Sequence, residues 1–224
     1  MKGKTRLAGV LIITGMIAGI FSVAPAVDST KYLTEAAANS NQVIIGAIFQ
    51  LIMALAYIGV AILLYPIIRQ FGKSMAIGFL SFRIIATTLV IVGTIILLSI
   101  LALSQEAIKH SISDHPDLEV LGSVLKTTRD YINHVFMILM LCAGNVLLYI
   151  LLIHSKLIPR WISLFGIVGA ILSVIASFLV LFRVVEIITT EYLILNLPTG
   201  LTDLILGIWL IAKGFKKQEM WKIK

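Results

Sequence analysis

Six polar side chains with chemical capacity lie in or beside long apolar runs: Asp203, His134, Arg183, Gln50, Arg83 and Asn145. Ionisable groups at membrane depth are costly to insert and are functional candidates by default. Asp203 follows Pro198-Thr199-Gly200-Leu201-Thr202, and the start of the last apolar run places it in the outer half of that span. Arg183 at the outer end of the fifth run, His134 near the outer end of the fourth and Gln50 in the second are its expected partners. Together they would make an outward-facing polar pocket for a substrate, an ion or a proton, or alternatively a hydrogen-bonded staple. Arg83 closes Gly78-Phe79-Leu80-Ser81-Phe82-Arg83, about seven residues or roughly 10 Å into the third run. It either anchors an anionic group in an inner pocket or snorkels and bonds to Asn145 or Tyr65.

Other chemistries find no pattern. A zinc site needs about three converging ligands. The histidines are His110, His115, His134 and His154, with no His-Glu-x-x-His and no pair at i, i+4. A site from His134, Asp203 and a loop histidine is geometrically conceivable, yet no metal is expected. Haem would need deep histidines on separate helices. There is no Gly-x-Ser-x-Gly elbow and no glycine-rich phosphate loop. Cys142 is the single cysteine, so it can neither form an intrachain disulfide nor build a metal site, and it reads as a small buried residue. No cofactor is expected, and the balance leans against an enzyme.

The elements that must position these side chains follow from composition. The 224 residues are 59% hydrophobic and 13% charged, against about 25% charged in soluble domains. Such sparse charge cannot cover a water-facing globule, so lipid is the expected solvent. Six runs reach spanning length: 7–26, 43–68, 76–103, 132–153, 161–182 and 197–212. None shows the alternation of barrel strands, which leaves helices as the spanning form. The expected fold is all-α, a single bundle of six transmembrane helices.

Lysine and arginine set the orientation. Three precede the first run, two lie in each of the loops Arg69–Ser74 and His154–Arg160, and five follow from Lys213. Against these stand one in Asp28–Gln42, three in Gln105–Tyr131 and none in Val184–Asn196. The alternation predicts cytoplasmic N- and C-termini in a multi-pass protein of the cell membrane. It also accounts for the net charge of +7 without nucleic acid as a partner. Lys2, Lys4 and Arg6 before an apolar run that ends in Ala24-Pro25-Ala26 resemble a signal peptide, but the run is long enough to span and is expected to be retained.

Short inside loops predict antiparallel neighbours. In the third connecting loop, Asp114-His115-Pro116-Asp117 reads as a helix start, and Leu118, Leu121, Val124 and Leu125 follow at helical spacing. A short amphipathic helix on the outer surface is expected there. Gly15-x-x-x-Gly19 and Gly166-x-x-Gly169 allow close helix contact, expected within the chain rather than between copies.

Leu64-Tyr65-Pro66-Ile67-Ile68-Arg69, Gly78-Phe79-Leu80-Ser81-Phe82-Arg83, Leu147-Leu148-Tyr149, Leu157-Ile158-Pro159-Arg160-Trp161 and Gly207-Ile208-Trp209-Leu210-Ile211-Ala212-Lys213-Gly214-Phe215 occur in this order. In these patterns the chain resembles the bacterial domain-of-unknown-function 4386 family over nearly its whole length. The resemblance implies a multi-span membrane protein and no particular activity. That family often carries an acid three positions after the arginine matching Arg83, where this chain has Ala86.

The function expected from the residues is a non-enzymatic small carrier or lipophilic-ligand binder. Its partners would be membrane lipids and a small lipophilic or anionic ligand. The alternatives are an accessory or scaffold subunit of another membrane protein and a membrane-embedded metal-dependent hydrolase.

Overall fold

The computed structural model describes residues 2–109, 116–187 and 189–216, and all regular structure among them is helical. In chain order the helices are α1 (Lys2–Phe21), α2 (Pro25–Asp28), α3 (Tyr32–Ala38), α4 (Ser40–Ile68), α5 (Lys73–Lys109), α6 (Pro116–Tyr131), α7 (Met137–Ser155), α8 (Arg160–Leu181) and α9 (Thr190–Ala212). A π-helical turn, Ile132–Phe136, joins α6 to α7 without a break. Among the described residues, six helical segments are long and apolar enough to cross a membrane: α1, α4, α5, α6 with α7, α8 and α9.

These six form a closed ring. Each packs on its neighbours in the chain, and α9 returns to pack on α1. Small residues close the seam. A Cβ on Gly9 of α1 would lie 2.7 Å from the Gly207 carbonyl oxygen of α9, so the two backbones touch where only glycine fits. Gly15 faces Ala56 and Tyr57 of α4, and Gly169 faces the backbone of Pro198 and Thr199. Both small-residue motifs therefore serve contacts inside the chain.

The ring is inside-out relative to a soluble protein. Its exposed surface is rich in large apolar side chains such as Ile20, Leu55, Ile62, Ile95, Ile171 and Ile208. Its buried set includes Gln50, Arg83, Asn145, Ser163, Ser173, Ser177 and Thr202. Lipid accepts the first group, and close packing with internal hydrogen bonds accepts the second.

Three elements differ from the sequence expectation. The last helix begins at Thr190, seven residues earlier than the apolar run suggests. Thr189 caps it by accepting a hydrogen bond from the Tyr192 amide, and it continues through Pro198, as membrane helices tolerate when neighbours satisfy the freed backbone. Second, the helix expected after Pro116 is present as α6, and it runs through the π turn into α7 without a break; residues 110–115 lie outside the described residues. Third, the first span ends at Phe21 rather than residue 26, and Asp28–Gln42 is no plain loop: α2 leads into it and α3 folds within it. They pack apolar side chains including Val27, Leu33 and Ala36 against Leu97, Ile100 and Ala107 of α5.

The long helices explain that third difference. At 1.5 Å per residue, the 37 residues of α5 reach about 55 Å, well beyond a hydrocarbon core of about 30 Å. Because the spans are even in number, the overhang lies on the face opposite the termini. There α5 and α6 give α2 and α3 a surface. Ser104 Oγ donates to the Leu33 carbonyl at 2.7 Å and accepts from the Ala37 amide at 2.9 Å, and Tyr32 Oη donates to the Glu119 carbonyl at 3.1 Å. Burial and the nearby Glu119 carboxylate raise the Tyr32 pKa, which keeps the phenol a donor. On the terminal face, the Lys216 amide donates to the Leu157 carbonyl and ties the tail to the α7–α8 loop.

Candidate functional site

Helix ends give the depth of each polar residue. Arg83 stands ten residues from Lys73 at the start of α5, Asn145 ten from Ser155 at the end of α7, and Asp203 nine from Ala212 at the end of α9. All three ends lie on the terminal face, so the three residues share one level about 15 Å in, near the bilayer middle. Asp203 is thus displaced inward from the outer half, because its helix is longer at the other end than the apolar run indicates.

The three line one cavity of about 40 Å³ on the ring axis, with Tyr57 of α4, Tyr149 of α7 and the apolar Ile12 and Met16 of α1. That volume holds about two or three water molecules. Arg83 Nη2 donates to Asn145 Oδ1 at 2.6 Å. The guanidinium lies 5.4 Å from the Tyr57 ring centre and 5.5 Å from that of Phe79, a cation–π setting. Its Nε is buried without a partner. Arg83 and Asp203 form no direct ion pair within the cavity: among the described residues the salt bridges lie elsewhere. Tyr65, the other expected neighbour of Arg83, instead faces Arg69. Gly166 of α8 makes room for the Tyr149 ring, which a Cβ there would meet at 2.5 Å.

The remaining candidates stand elsewhere. Gln50 and His134 line a second chamber of about 210 Å³, together with Met53, Val90, Arg129 and Met137. Each helix common to both spaces is traced one or two turns further from the terminal face: Met16 to Gly19, Tyr57 to Met53, Arg83 to Val90, Asn145 to Met137. The chamber therefore stacks above the Arg83 cavity on one axis. Thr94 Oγ1 lies 2.8 Å from Gln50 Oε1. His134 Nδ1 lies 3.0 Å from Tyr192 Oη. His134 sits in the π turn, and Ser177 Oγ donates to its carbonyl at 3.1 Å. Such turns shift the helix phase and often mark working sites.

Arg183 lies on neither space. It has a left-handed φ of 57° and lines an open vestibule of about 470 Å³ with Lys126, Asp130 and Glu186. Its Nε donates to Tyr131 Oη at 3.3 Å, a bond that raises the guanidinium pKa. Asp28 lines both vestibule and chamber. It accepts from Arg129 Nη1 at 2.7 Å, and Lys126 Nζ donates to the Asp28 and Ser29 carbonyls at 2.6 and 3.0 Å. Sequence reasoning missed this group, because Asp28 and Arg129 fall in segments that read as solvated loop. Tyr57 and Tyr149 were missed as site residues too, having no charge to draw notice.

The expected pocket of Asp203, His134, Arg183 and Gln50 is thus divided among three spaces. Among the described residues no three His, Cys, Asp or Glu side chains cluster as a metal would need. His110 and His115 lie outside the described residues.

A closed ring of apolar-faced helices with polar residues on its axis defines a multi-pass α-helical membrane protein. The chain belongs to the family described as Domain of unknown function (DUF4386), whose model matches residues 7–214. No curated protein and no solved structure matches it.

Proposed function

We propose that the chain is a small carrier or ligand binder of the cell membrane, without enzymatic activity, whose ligand path follows the ring axis from the face opposite the termini. Its termini are cytoplasmic in this reading, as the cation bias requires. The observation that carries it is Arg83: a cation held at mid-depth on the axis, sharing a cavity with Asp203 yet not paired to it, with one N–H unsatisfied. A buried unpaired donor costs about 1–3 kcal/mol, and Arg83 lines a cavity that an acceptor can enter. The vestibule and chamber stacked above the cavity supply an approach, with the Asp28–Arg129 pair between them. Ala86 stands three positions after this arginine, and Asp203 of α9 offers a carboxylate to the same cavity.

Cysteine accessibility tests the path. In a Cys142→Ser background, Gln50→Cys and Asp203→Cys are introduced singly and exposed to a small membrane-impermeant thiol reagent from each side of sealed vesicles. The reading expects Q50C to react from the outer side and D203C to react slowly from both. Silence of both positions from both sides, in protein shown to be folded, would overturn it in favour of a sealed scaffold.

A further inference from the structure

We infer that the Arg83–Asp203 cavity is a coupled site for one proton and one small inorganic anion of halide size. The inference rests on the proposed carrier reading for transport, though not for binding, and it names the ligand of that path.

The argument begins with donors. Arg83 is 7% exposed, and its Nη2 is committed to Asn145 while its Nε has no partner. The Tyr57 and Tyr149 hydroxyls line the same space and make no hydrogen bond to the described protein. Asn145 brings an amide whose oxygen is already taken, leaving its N–H groups. One guanidinium, two phenols and an amide therefore surround a space whose acceptors are few. The principal one is the Asp203 carboxylate on the opposite helix.

Charge then decides what can enter. Ionised Asp203 balances Arg83, and the cavity is neutral with water in it. A proton on Asp203 leaves the Arg83 charge uncompensated in a site poor in water, where an uncompensated charge is costly. A small anion restores neutrality and accepts the free N–H and O–H donors. Proton and anion thus bind together, and each strengthens the other reciprocally. No other side chain facing Asp203 alters this balance. Arg83 comes from α5, Tyr57 from α4 and Tyr149 from α7, where Cys142 lies within the field of Asp203 off the cavity lining, while α1 offers Ile12 and Met16 and α8 carries no titratable side chain beyond Arg160 at its first position. Size narrows the class, since about 40 Å³, room for two or three waters, admits a halide with a water beside it and is too small for phosphate esters and bulky carboxylates.

The test uses the full chain in nanodiscs with radiolabelled chloride as the probe. Saturable binding is expected at pH 5 and should weaken by about tenfold per pH unit once Asp203 ionises. Asp203→Asn mimics the protonated acid, so D203N should bind chloride with no pH dependence. Arg83→Gln should lose binding at every pH. Absence of saturable binding to the unaltered protein at pH 5, a D203N profile that still falls with pH, or displacement of chloride by citrate would each overturn the inference. If R83Q does not fold, the D203N profile decides. Should chloride fail to bind while Q50C and D203C react as expected, the carrier reading stands with a different ligand; the reverse result leaves a binding site without a path.

Discussion

Substituting Gly9 by alanine should open the ring at its seam. A Cβ at Gly9 would stand 2.7 Å from the Gly207 carbonyl oxygen, 2.9 Å from Ile211 Cγ1 and 3.0 Å from the Ile211 amide. The side chain could yield, but the two backbone atoms belong to α9 and move only with that helix. Alanine relieves about 0.5–1 kcal/mol of helix cost carried by glycine. Overpacking a close contact costs typically about 1–3 kcal/mol. Gly200, on the same helix pair but with nothing within 4 Å of its Cβ position, shows the gain alone. Gly9→Ala should therefore sit roughly 1–3 kcal/mol below Gly200→Ala. At about 2–4 °C per kcal/mol for a chain of this size, the gap in melting temperature is about 6 °C at mid-range. Thermal unfolding of the two purified variants in one detergent, followed by near-ultraviolet dichroism, measures it. Coincident melting curves would refute the backbone contact and with it the closed ring.

The Asp28–Arg129 pair should behave as a buried couple. Asp28→Ala or Arg129→Met alone should cost roughly 2–4 kcal/mol, at the low end for broken buried pairs because the Asp28 side chain keeps 19% exposure, and the double variant should cost no more than either single one; additive losses would sink the coupling. For orientation, a cysteine added after Lys216 should be protected from an impermeant reagent in intact cells, while one replacing exposed Glu186 should react. The opposite pattern would reverse every statement about sidedness.

Much of this architecture is legible without coordinates, and the reasons are physical. Spanning length and sparse charge follow from the solvent, so the six runs and their helical form can be read directly. What composition cannot show is where a helix continues beyond its apolar stretch. Thr190–Asn196 carries Glu191 and polar side chains, and Pro198 resembles a start, yet the Thr189 cap and the α8 contact extend α9 over both. The apolar run sets the start of α9 seven residues, about two turns, too late, and gives Asp203 an outer position and neighbours that line other spaces. Counting instead from the basic ends, which the cation bias marks well, places Arg83, Asn145 and Asp203 on one level. The Asp28–Arg129 bond spans about a hundred residues of chain, and nothing in the local pattern of either residue announces it.

The two charges at mid-depth also offer a way to tell a working site from a brace. Each charge costs about 2.5–3.5 kcal/mol to place near the bilayer centre. One hydrogen bond to Asn145 and cation–π contacts with Tyr57 and Phe79 offset part of the arginine's share. Asp203 is left to the field of Arg83 across a gap wide enough for water. Stability alone would gain from closing that gap or from apolar residues at both places. Arg83→Leu combined with Asp203→Leu removes both insertion costs and fills the cavity. By analogy with buried pairs exchanged for hydrophobic residues, the double variant should be as stable as the parent or up to about 4 kcal/mol more stable, while losing chloride binding. Unfolding in mixed detergent micelles, compared with the parent chain, reads the difference. A loss of more than about 2 kcal/mol would mean that the two charges hold the ring together. The polar axis would then be structural, and an accessory role beside another membrane protein would be the better account.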